Sequence, residues 1–128
     1  MNTIKRLAAT ALTAAAVLAP VAPALADTPY AQASIVIGKD GSPVGDSKNV
    51  VHAWQVREGL YCIILSHEVD LGGPVAVHAT SVGLWGDPRW LSVTVKSPWC
   101  HAGHHGVSVR STDTEGHPSD ASFVLTVS

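Results

Sequence analysis

Alternation with a period of two runs through most of this chain, while the 3.6-residue period of an amphipathic helix is almost absent. Residues 34–37 form a strand-like run, Ser-Ile-Val-Ile, whose last three residues are β-branched. Over 50–57, Val50, His52, Trp54 and Val56 alternate with Val51, Ala53, Gln55 and Arg57. That phase puts Trp54 on one face with Val50 and Val56, and so in the core. Residues 60–65 are apolar on both faces, as in the middle strand of a sheet. Val75, Val77 and Ala79 alternate with Ala76, His78 and Thr80, and Leu91, Val93 and Val95 with Ser92, Thr94 and Lys96. Val107 and Val109 face away from Ser108 and Arg110, and Phe123, Leu125 and Val127 mark the last segment. Seven short strands are predicted.

The connections carry turn chemistry. Glu58-Gly59 reads as the tip of a tight hairpin. Gly and Pro recur at 39–43, 71–74, 86–88 and 115–118. Seven strands with regular turns in about a hundred residues predict an all-β fold: one antiparallel β-sandwich, immunoglobulin-like.

The N-terminus stands apart. Lys5 and Arg6 precede an apolar run over 7–18, Pro20 and Pro23 break it, and Ala24-Leu25-Ala26 offers small residues to a signal peptidase. Residues 1–26 are therefore expected to be a signal peptide cut before Asp27. The apolar run is shorter than the ~20 residues of a membrane-spanning helix. The expected product is a secreted, extracellular single domain over 27–128, with a loose arm at 27–32. Past residue 26 the chain keeps six Lys and Arg against ten Asp and Glu, a formal charge of −4. That charge argues against a nucleic-acid partner. It also leaves Cys62 and Cys100 as the two cysteines of an exported chain, where thiols oxidise. A Cys62–Cys100 disulfide is expected; the alternative is a pair of metal-ligand thiolates.

The segment 107–127, VSVRSTDTEGHPSDASFVLTV, has Val107, Val109 and Ser111 in alternation, a turn at Asp113 and Gly116, then Asp120, Phe123, Leu125 and Val127. Upstream lies Gly59-Leu60-Tyr61-Cys62-Ile63-Ile64-Leu65. Together these resemble a small β-sandwich module of exported bacterial proteins, marked by a G-x-Y strand and a terminal V-x-V-x-[ST]-x-D-x-x-G hairpin. The resemblance is close over 107–127 and loose over 50–127. Ser111 stands where the pattern usually has Thr, and Leu65 where it often has Phe. The module brings no established activity. The hairpin can also be read directly: Asp113 is placed to accept turn N–H groups, Gly116 to supply a positive φ, and Asp120 to tie the loop before the last strand. An alternative builds a Ca²⁺ site from Asp113, Glu115 and Asp120. If Tyr61, Ile63 and Leu65 point inward, Cys62 points outward, and a disulfide would pin the loop 97–105 across the outer face of its strand.

Chemistry concentrates in two residue types. His101, His104 and His105 lie in a Pro- and Gly-bearing loop and could share Zn²⁺ or Cu²⁺, with His117 further on; the plain alternative is a solvated loop. Four tryptophans include Trp85, Trp90 and Trp99 in or near loops, and exposed indoles stack on sugars or partner surfaces. Arg89 and Asp87 between Trp85 and Trp90 are candidate hydrogen-bonding partners for a polar ligand. Trp85, Arg89, Trp90 and Trp99 are the candidate ligand-binding residues; the plain alternative for Trp99 is packing on the disulfide. No nucleophile elbow, H-E-x-x-H zinc motif or phosphate loop is present. The expected function is a non-enzymatic binding or surface-interaction module for a protein or carbohydrate. The alternatives are a metal-binding protein using the histidine loop and a small secreted protein inhibitor.

Overall fold

The structure, a computed structural model, describes residues 30–83, 87–101 and 103–128. The leader expected at 1–26 and Trp85 lie outside the described residues. Seven strands form: β1 (Ala33–Ile37), β2 (Val50–Arg57), β3 (Leu60–Leu65), β4 (Val77–Val82), β5 (Trp90–Val95), β6 (Gly106–Thr112) and β7 (Ser122–Val127). They make two antiparallel sheets, β1-β7-β4 and β2-β3-β6-β5. The two-layer architecture is the expected one. In constant-type immunoglobulin domains the first two strands lie side by side. Here β1 pairs with β7 and β2 with β3, a different strand order.

The alternation places the core where a period of two demands. Ile35 and Ile37 of β1, Tyr61, Ile63 and Leu65 of β3, Val107 and Val109 of β6, and Phe123, Leu125 and Val127 of β7 are buried between the sheets. Leu91, Val93 and Val95 of β5 pack against them from the sheet edge. Strand β4 starts at Val77 instead of 75 and runs on to Val82, because its ladder follows β7 from Val127 back to Ser122. The expected loose arm is corrected at its end: Ala31 is buried, and the Gln32 N–H donates to the Val127 carbonyl at 2.7 Å.

Trp54 is corrected as well. It lies half-buried on the outer face of the four-stranded sheet, opposite Cys62, and Ala53 takes the core position. The cause is a pair of irregularities in β2. Val50 pairs with Leu65 but His52 with Ile64, and Gln55 pairs with Tyr61 but Arg57 with Leu60. Val51 and Val56 are thus extra residues, and both are exposed. A one-residue bulge sends every following side chain to the other face. Val50 therefore faces the core while His52 and Trp54 face out, their rings stacked with centroids 5.2 Å apart.

Tyr61 points inward, which decides between the two faces that the sequence left open. It meets Phe123 edge-on at 5.2 Å, donates its hydroxyl to the Lys39 carbonyl at 2.9 Å, and accepts from the Ala121 N–H at 3.1 Å. One phenol thus ties the turn after β1 to the approach to β7. Burial, with the nearby Asp120 charge adding to it, pushes its pKa up to about 12. The β2–β3 hairpin turns at Gly59, whose φ of 68° suits glycine. A Cβ there would also lie 2.4 Å from the Ser111 carbonyl oxygen, so both conformation and space require glycine.

Candidate ligand-binding face

Because Tyr61 and Ile63 face inward, Cys62 faces out, and its disulfide to Cys100 crosses the outer surface of the four-stranded sheet with a Cα–Cα distance of 5.4 Å. The partner loop begins at Ser97, whose N–H donates to the Gly106 carbonyl at 3.0 Å. Pro98–Cys100 then forms a short 3-10 helix, with the Ser97 hydroxyl accepting from the Trp99 N–H at 3.4 Å. A second 3-10 helix, Gly103–His105, leads into β6. Proline at the first turn and a serine cap suit this local fold. Its product is Trp99 held above the sheet, 49% exposed, with the Arg57 guanidinium 5.4 Å from its ring centre.

The registers define the rest of this face. One row across the sheet carries Arg57, Leu60, Arg110 and Ser92; the next carries Trp54, Cys62, Ser108 and Thr94; a third carries His52, Ile64 and Gly106. Beyond the arginine row, Trp90 pairs with Thr112 and is 70% exposed. Its neighbours Leu91 and Val93 turn inward, so Trp90 stands on the outer face. None of the four strands contains Asp or Glu. The face is therefore aromatic and basic, although the chain as a whole is acidic.

The expected site residues divide. Trp90 and Trp99 come together on this face. Arg89 does not join them. Its Nε donates to the Asp120 carbonyl at 3.1 Å, Nη2 to Asp87 Oδ2 at 3.1 Å and Nη1 to Asp87 Oδ1 and the Pro88 carbonyl. With its side chain only 15% exposed, it locks the chain entering β5 and offers few donors to a ligand. Of the three candidate metal ligands, His101 is exposed in a left-handed conformation at φ 50°, and His105 is half-buried with Nδ1 lacking a hydrogen-bond partner. The His104 side chain lies outside the described residues. Among the described residues no three His, Cys, Asp or Glu side chains converge as a metal set.

The acidic hairpin is likewise structural. Asp113 accepts from the Glu115 and His117 N–H groups, each at 2.9 Å, and these bonds, His117 first, hold its carboxyl below the usual range. Gly116 has φ 88°, as expected. Asp120 reaches the other way, accepting from the Gly59 N–H at 2.9 Å and from Gln55 Nε2 at 2.5 Å. These carboxylates serve different turns and do not assemble the Ca²⁺ site weighed above.

Sequence reasoning missed His52, Trp54, Arg57 and Arg110 as members of one surface. Arg110 was legible, since it alternates with the buried Val107 and Val109. The other three depended on the bulges in β2. No family model, curated protein or solved structure matches this chain.

Proposed function

We propose that this chain is an exported, non-enzymatic binding module, of the small β-sandwich kind its terminal hairpin resembles, and that it recognises carbohydrate through the outer face of its four-stranded sheet. One observation carries the reading: Trp90 and Trp99 stand exposed on a single face whose strands hold no acid. Exposed indoles cost free energy in water unless a partner covers them, and flat sugar faces and partner side chains both do so. The mounting favours a rigid ligand platform. The backbone of Trp90 is held in a strand and that of Trp99 in a cystine-anchored turn, so little backbone freedom is lost on binding.

The test is a titration of tryptophan emission with soluble polysaccharides, backed by retention on insoluble ones. Trp90→Ala and Trp99→Ala should each abolish or strongly weaken binding while leaving the fold intact by circular dichroism. Retention unchanged in both variants, or binding only to a protein, removes the carbohydrate reading.

A further inference from the structure

At the hairpin end of this face lies a cleft of about 420 Å³, walled by Arg57, Arg110, Thr112 and Gly116 and floored by Leu60. Glu58 is the one acid among its lining residues, so two guanidinium groups leave it net positive. Neither arginine side chain has a carboxylate or a hydrogen-bond acceptor among the described residues; the guanidinium of Arg57 meets the Trp99 ring instead. Arg89 shows what this protein does with an arginine that serves the fold: it is half-buried and saturated with acceptors. Arg57 and Arg110 sit in one row with Leu60 between them, so their backbones are about 10 Å apart by strand spacing. Trp99 flanks one end of the row, and Trp90 stands one step beyond the other.

From this geometry we infer that the cleft is a carboxylate subsite, and that the ligand class is a uronic-acid polysaccharide. The inference rests on the carbohydrate reading above and deepens it. A guanidinium presents N–H pairs that match a planar carboxylate two-for-two. Stacking on Trp99 holds one face of Arg57 and leaves its N–H edge free, and cation–π contact keeps that edge in place before the ligand arrives. The indoles then take the apolar faces of the sugar rings while the arginines take their acid groups. Charge complementarity selects this occupant over a neutral glycan: the strands beneath are free of acid, so an anionic chain meets no like charge on the sheet itself.

The experiment measures binding of the purified protein to polygalacturonate, to the neutral glucan dextran, and to dextran sulfate. The expected result is preference for polygalacturonate, weakened by added salt. Arg57→Ala and Arg110→Ala should each weaken it about tenfold, the size of one lost charge-assisted bond, and Arg110→Lys should recover only part. Near-UV circular dichroism of both alanine variants guards against loss of the fold. Equal binding of dextran and polygalacturonate, with tryptophan dependence but no arginine dependence, overturns the carboxylate subsite and leaves the carbohydrate reading standing. Equal affinity for dextran sulfate also overturns it, as general polyanion attraction. No binding to any of the three overturns both.

Discussion

The two sheets are built from the same alternating code and finish their outer faces differently. In the three-stranded sheet, β1 pairs with β7 and β7 with β4 in unbroken register. Its outward positions are Ser34 and Val36, His78, Thr80 and Val82, and Ser122, Val124 and Thr126: apart from His78 small or β-branched, and without an arginine or a tryptophan. The four-stranded sheet has two register shifts in β2, a cystine across its outside, three tryptophans and two arginines. The buried faces of both are aliphatic packing around one aromatic pair, Tyr61 and Phe123. Large side chains placed where the core does not need them, two of them on the bulged strand β2, set the outer face of the four-stranded sheet apart from that of the three-stranded one.

The strongest way to sharpen that contrast is to remove the cystine. Cys62→Ser with Cys100→Ser should lower unfolding free energy by ~4 kcal/mol, the chain-entropy value for a closure of this span. Denaturant titration measures it, and the loss of Trp99 order should appear in the near-UV spectrum with the three-stranded sheet still formed. Next comes the tether that serves both sheets. Tyr61→Phe leaves the buried Ala121 N–H and the partly buried Lys39 carbonyl without their partner, at about 1–3 kcal/mol. It should also change the alkaline limb. The folded pKa of Tyr61 is raised from 10.0 to about 12, so its share of stability is whole below pH 10 and is lost as pH rises through about 12. The Phe variant should lack that step in a pH-dependent melting series.

Trp54→Ala tests the bulges. A core tryptophan would cost roughly 3–5 kcal/mol on truncation. Half-buried on the outer face and stacked on His52, Trp54 should cost about 1–2 kcal/mol by cross-strand and partial-burial contributions. A core-sized loss would show that the phase of β2 has been misread. The smallest stability effects belong to the exposed positions. Trp90→Ser and Thr80→Ala, one on each outer face, should both change stability by less than about 0.5 kcal/mol. Ligand retention should fall for the first alone; an equal fall for both would erase the difference between the faces.

How much was legible without coordinates follows from how far each signal reaches along the chain. Strand positions follow from a period of two, which five or six consecutive residues display; the inward Tyr61 and the outward Cys62 do not, because residues 60–65 are apolar on both faces. The Asp113 turn and the positive φ of Gly116 are local too, since a carboxylate two to four residues from the N–H groups it accepts needs no distant partner. The cystine follows from having two cysteines and one possible pairing. Other features are properties of pairs far apart in sequence. Strand order depends on which edges meet, and alternation is silent about that. The bulges at Val51 and Val56 exist because β2 must match β3 residue for residue, so the place of Trp54 was hidden in the register. Arg89 read as a ligand contact until Asp120, far along the chain, occupied it, and the contact of Arg57 with Trp99 depends on a loop that the cystine holds over the sheet. Local pattern decides which side chains alternate; long-range pairing decides which of them share a surface.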